Sequence, residues 1–268
     1  MPMPLISMNT NSRQGRASGR EGEHSLTTAT GILDAAVLPE SPLKPVLAVK
    51  NLSFAWPASS VHIAITELNV KADEHWLLEG PSGSGKSTLL QLLGGVLLPQ
   101  RGDVSILGQR WATLSAAQRD IRRADHVGFI FQQFNLIPYL SALENVILPC
   151  RFSSLRRQSA ESAGGLKDEA RRLLSALGLG TEDIQRRRAA TLSVGQQQRV
   201  AAARALIGKP SLVLADEPTS ALDTDNRDAF LELLFCEARS ANTAIVLVSH
   251  DTRLRPHFER HLTLEGGQ

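Results

Sequence analysis

Cysteine is scarce in this chain: two among 268 residues, Cys150 and Cys236, far apart and without metal-ligand spacing. That argues against a disulfide framework and fits a reducing, cytosolic setting better. Long apolar runs are missing too. No stretch reaches the roughly 18 residues that a membrane span needs, so any work at a membrane requires a separate partner chain. A secretory signal is excluded, because no continuous apolar core follows the basic residues near the start. Net charge is only +2, which gives nucleic acid no global basic field to bind. What remains is a chain with 42% hydrophobic residues and a mean hydropathy of −0.10. It can bury a full core in one large domain or two small ones.

Residues 1–44 are rich in Ser, Gly, Thr, Pro and Arg and poor in aromatics, the composition of a disordered tail. Arg13, Arg16 and Arg20 precede any acidic residue, which resembles a transit peptide; a misassigned start codon explains them equally well. From Pro45 the pattern changes. Val46–Val49 with Leu52–Phe54 reads as one strand and Val61–Val70 as a second, with Trp56-Pro57 in the turn between them. The Trp56 indole either packs locally or stacks on a base.

The stretch Gly80-Pro81-Ser82-Gly83-Ser84-Gly85-Lys86-Ser87-Thr88 fits the phosphate-loop pattern. The apolar run His75–Glu79 before it reads as a buried strand, and Thr88–Leu93 after it as a helix, the context that the motif needs. Glycines let successive backbone N–H groups curl toward phosphate oxygens, and the helix adds its positive dipole end. Lys86 is expected to reach the β- and γ-phosphates, and the Ser87 hydroxyl to take one Mg²⁺ position.

Further along, Gly102–Gly108 reads as a short strand, and Ser115-Ala116-Ala117-Gln118 has the form of a capping box that opens a helix. Val127–Phe131 is another buried strand and ends on Gln132. That glutamine is either a polar loop residue or an amide-oxygen ligand for Mg²⁺. Lys167–Gly178 has apolar residues at helical spacing, whereas Ser153–Gly165 is polar and aperiodic and reads as a loop. The basic runs Arg156-Arg157 and Arg186–Arg188 read as solvated faces. Ser193 with Gln196 again has capping-box spacing, ahead of the alanine-rich helix Val200–Ile207. Leu212–Ala215 is a buried strand that ends in Asp216 and Glu217. The first carboxylate suits Mg²⁺, and the second suits a general base for an attacking water. Ile245–Val248 delivers His250 at the carboxyl end of a further strand, the edge where α/β sheets hold ligands.

These elements, in this order, resemble the ATP-binding cassette ATPases over about residues 46–266. Gly80–Thr88 matches the Walker A loop, Trp56 the adenine-stacking aromatic and Gln132 the Q-loop glutamine. Leu192–Gln196 matches the signature, usually L-S-G-G-Q, with Val194 in place of the first glycine. Leu212–Glu217 matches Walker B, Ser220–Asp223 the D-loop and His250 the switch histidine. The resemblance implies an α/β fold: a phosphate-loop NTPase core with an antiparallel β subdomain and a helical signature subdomain at about 135–195, all within 45–268. It implies Lys86, Glu217 and His250 as catalytic, and Ser87, Gln132 and Asp216 around Mg²⁺. ATP would be held by Trp56, the loop Gly80–Thr88 and Gln132, with Ser193, Gly195, Gln196 and Asp223 completing the site.

The implied cycle is a sandwich of two copies around two ATP molecules, which drives a separate integral-membrane permease from the cytoplasmic face of the inner membrane. No nucleic acid is involved. The segment Gly128–Pro149 looks most like the ATPase subunits of lipoprotein-releasing and macrolide-exporter systems. A regulator that signals through a membrane partner without moving a solute is the alternative. The interval between Walker A and the signature, roughly a hundred residues without sustained heptads, sets aside chromosome-maintenance members. A single cassette sets aside translation factors, and two scattered cysteines cannot supply the zinc site of DNA-repair members. The missing N-K-x-D motif disfavours a GTPase.

Overall fold

The computed structural model describes residues 44–57, 62–220 and 222–264. Except for Lys44, the expected N-terminal tail lies outside them, as do Val61 and Ala221. Strands β1 (Leu47–Ala55), β2 (His62–Val70), β4 (Arg101–Ile106) and β5 (Gln109–Arg110) form an antiparallel sheet in the order β2-β1-β4-β5. In β1, burial alternates on Leu47 and Val49, then shifts by one residue to Leu52 and Phe54. The shift falls at a bulge: Asn51 is left-handed at φ 48°, and the register against β4 slips between Lys50 and Ser53. Gly102 lies opposite at φ 75°, and a Cβ there would sit 2.1 Å from the Asn51 carbonyl oxygen, so only glycine fits.

The second sheet is parallel throughout, in the order β6-β7-β8-β3-β9: β3 is His75–Glu79, β6 Val127–Ile130, β7 Leu212–Asp216, β8 Ala244–Ser249 and β9 Arg260–Thr263. Its central strands are continuous apolar runs, because helices cover both faces. One core lies between the sheets, around α1 (Lys86–Leu93) and the fully buried Trp111, whose Nε1 donates to the Leu93 carbonyl at 3.0 Å. The other lies on the opposite face. There α7 (Val194–Leu206) and α8 (Thr224–Ser240) meet α3 (Ala142–Ile147) and α5 (Leu166–Ala176). Helix α2 (Ala116–His126) opens on the expected capping box at Ser115.

Three expectations need correction. Residues 153–165 are not a loop, because Ser154–Ser162 forms helix α4. Ser153 caps it by accepting from the Arg156 backbone N–H at 3.0 Å. Nor is Arg156 a solvated surface charge. It is buried, and its guanidinium donates to the carbonyls of Ile207 and Ala205 at 2.8 Å each and of Arg204 at 3.3 Å. Those carbonyls close the C-terminal end of α7, so the anchor of α4 is a polar side chain that apolar periodicity does not register. The expected alanine-rich helix also starts earlier, at Val194, directly after the signature serine.

Candidate nucleotide site

Strand β3 delivers Gly80 to the sheet edge, where the Gly80 N–H donates to the Ser249 carbonyl at 3.3 Å. Gly83 and Gly85 then take φ of 81° and 91°, turning the loop back into α1. Lys86 is buried, and its Nζ donates to the carbonyls of Gly80 at 2.8 Å and Pro81 at 2.9 Å, which spans its ammonium across the loop. The same Nζ is 3.6 Å from Glu217 Oε1. On the other side, His250 Nδ1 lies 2.9 Å from that oxygen, so one carboxylate joins Lys86 and His250.

Glu217 holds this position with a left-handed backbone, φ 43°, and its N–H donates to the Val248 carbonyl at 3.0 Å. One residue earlier, Asp216 ends β7. Burial raises its carboxyl above the usual carboxylate range, the hydrogen bond with Ser87 opposes that shift, and the neighbouring Glu217 adds to it.

A cleft of about 460 Å³ collects Trp56, Ser82, Gly83, Gly85, Lys86, Ser87, Thr88, Gln132, Asp216 and Glu217. Trp56 is 47% exposed at its rim. It is held edge-on to Phe54 and by an Nε1 hydrogen bond to Thr88 Oγ1 at 3.3 Å. Gly80, Pro81 and Ser84 belong to the same loop but do not line the cleft, and a Cβ on Gly80 would meet Ser84 Oγ at 2.7 Å.

The signature residues and Asp223 are not in this cleft. Ser193 Oγ accepts from the Gln196 N–H at 3.3 Å, and Gln196 Oε1 accepts from the Ser193 N–H at 3.1 Å, a complete capping box. Val194 is 51% exposed beside it. Asp223 caps α8 by accepting from the Asn226 N–H at 3.0 Å, which helps keep its carboxyl below the usual range. Gly195 faces Leu222, whose side chain would lie 3.8 Å from a Cβ there.

Sequence reasoning missed Arg204. It is nearly buried near the end of α7, and it donates to the carbonyls of Phe134 and Asn135 just after Gln132. Both of those residues are left-handed, at φ 59° and 47°. A lone arginine in an alanine-rich helix carried the only signal.

A family model described as ABC transporter matches residues 64–220. An uncharacterized ABC transporter ATP-binding protein, YbbA of Escherichia coli K12, is 46% identical over 202 residues, 75% of this chain and 85% of its own. The lipoprotein-releasing system ATP-binding protein LolD of Xanthomonas axonopodis pv. citri is 40% identical over 202 residues, 75% of this chain and 80% of its own. Among solved structures, the dimeric ATP-binding cassette MJ0796 in a post-hydrolysis state bound to ADP and Pi superposes with a TM-score of 0.72. It is 37% identical and covers 82% of this chain and 95% of its own. With a phosphate loop, a strand-end Asp-Glu pair and a histidine at one sheet edge, this chain belongs to the ABC transporter family as an ATP-binding subunit and ATPase.

Proposed function

We propose that two copies of this chain close around two ATP molecules and drive a separate membrane permease of the lipoprotein-releasing or lipid-extracting export type. The observation that carries the dimer is the division of the site. Trp56, the phosphate loop, Gln132, Asp216 and Glu217 share one cleft, while Ser193, Gly195, Gln196 and Asp223 stand outside it. A second copy is what brings the signature of one chain to the γ-phosphate held by the other. The exposed Val194 at the start of α7 fits a surface that is covered on closure.

Within each half, Lys86 and the loop N–H groups bind phosphate oxygens, and Trp56 stacks on adenine. Ser87, Asp216 and the Gln132 amide are hard oxygen donors, which suit Mg²⁺. Among the described residues no group of three His, Cys, Asp or Glu side chains could hold a metal by itself, so an ion held by Ser87, Asp216 and Gln132 would need further oxygen ligands. When bound, it would supply positive charge against the phosphates. Glu217 takes the proton of the attacking water, and His250 orients that carboxylate while presenting its other face to the γ-phosphate.

The permease seat is a groove of about 500 Å³ with Ile121, Phe129, Phe131 and Phe152 on its walls and Arg156 and Arg204 at its base. Phe152 is 72% exposed there. Both arginines already donate to backbone carbonyls, and Asp120 in the lining pairs with Arg123, so the groove suits a permease helix that presents apolar side chains. The groove borders Gln132 through Phe131, which connects it to the nucleotide cleft. No described helix is long and apolar enough to cross a membrane, which fits a peripheral subunit on the cytoplasmic face. The relatives named for lipoprotein release favour that cargo class. Co-purification from native membranes tests the reading. Recovery with a multi-span permease supports it, and recovery of a soluble chain alone contradicts it.

A further inference from the structure

Asp223, the cap of α8, leads one turn later to Arg227, which is only 5% exposed. The Arg227 guanidinium donates from Nη1 to Asp251 Oδ2 at 3.1 Å and from Nε to Asp228 Oδ1 at 2.9 Å. Asp251 directly follows His250 and caps the 3₁₀ turn Thr252–His257. Its own N–H donates to Ser249 Oγ at 3.0 Å, and Arg253 covers it from the outside at 2.8 and 2.9 Å. At the far end of the same turn, His257 Nε2 lies 3.3 Å from Asp228. Two adjacent α8 residues of opposite charge therefore hold both ends of the segment that follows His250.

A buried guanidinium gives up hydration, and its partners must offset that loss. Apolar packing would join α8 to this turn without that cost, but an apolar contact can slide. A hydrogen-bonded ion pair fixes distance and direction, and the groups on either side of this one are Asp223 and His250. We infer that Arg227 is a positioning residue: through Asp251 it holds His250 in register with α8, so that Asp223 and the His250–Glu217 pair move as one body. The inference rests on the ATP-dimer reading, in which Asp223 belongs to the composite site.

The test compares steady-state ATP hydrolysis by full-length wild type, Arg227→Met, Arg227→Lys, Asp251→Asn and the Arg227→Met/Asp251→Asn double variant. Each rate is normalised to the fraction of chain that binds a fluorescent ATP analogue, which separates lost folding from lost turnover. Displacing a group that acts only in the chemical step lowers kcat and leaves KM in place, so Arg227→Met is expected to lose about tenfold in kcat with KM within about twofold. Arg227→Lys keeps the cation and recovers most of the loss. The double variant is no slower than the slower single one, because both remove the same contact. A normalised kcat for Arg227→Met within about twofold of wild type overturns the inference, as does a KM rise that accounts for the whole effect. A wild-type chain that hydrolyses no ATP, alone or with its membrane partner, overturns the ATPase reading as well. That result appears before any Arg227 variant is compared.

Discussion

Glu217 sits in a backbone conformation that costs on the order of 1–3 kcal/mol for a residue with a side chain, and it is held there by the Val248 carbonyl. The strain puts its carboxylate between Lys86 and His250. Glu217→Gln keeps the shape and removes the proposed base, so kcat should fall by about 100-fold or more while ATP binding persists. Rapid-quench hydrolysis beside equilibrium nucleotide binding checks this. His75 is buried at the start of β3 and stacked 4.4 Å from Phe235, and its Nε2 has no partner among the described residues. Burial, aided by Arg239, lowers its pKa from the usual 6.5 to about 4. Between those values the unfolded chain binds the proton and the folded chain does not, so stability falls as pH drops from 6.5 toward 4. The loss amounts to at most about 3 kcal/mol. His75→Phe keeps the ring and should flatten this part of the pH profile, as read by urea unfolding at pH 7 and pH 4.5.

At the level of elements, α4 and α7 show what a sequence does and does not disclose. Strands that lead to Gly80, Asp216 and His250 were legible because three to five apolar residues in a row followed by polar chemistry is a local pattern. Helix α4 was not, since its anchor is a guanidinium that reaches the end of α7 some fifty residues on. The Glu79–Arg255 pair, 176 positions apart, is illegible for the same reason, as is the grip of Arg204 on Phe134 and Asn135. Removing the α4 anchor orphans three carbonyls, so Arg156→Ala should cost about 3 kcal/mol or more in urea unfolding. Ser193 on α7 separates structure from function. Asp caps a helix as well as Ser does, so Ser193→Asp should leave the melting temperature nearly unchanged. Its added charge would face a γ-phosphate across the interface, and ATP hydrolysis should be lost. A variant that is both stable and active would remove Ser193 from the site.

At the scale of the whole molecule, the parallel sheet gathers Lys86, Asp216, Glu217 and His250 at one edge, while α7 carries Ser193 and Gly195 away from that cleft. The Gln132 loop, held by Arg204, lies between the cleft and the apolar groove, so on the proposed reading a permease seated in the groove would touch the loop that reaches the nucleotide. In the proposed dimer, neither chain holds a complete site. Light scattering of the Glu217→Gln chain with and without ATP and magnesium tests it most directly, with Lys86→Ala or Ser193→Asp added as controls. The expected result is a species of two chains that forms only with ATP and is abolished by either added substitution. A monomer under every condition, or a dimer indifferent to nucleotide and to both substitutions, would contradict it.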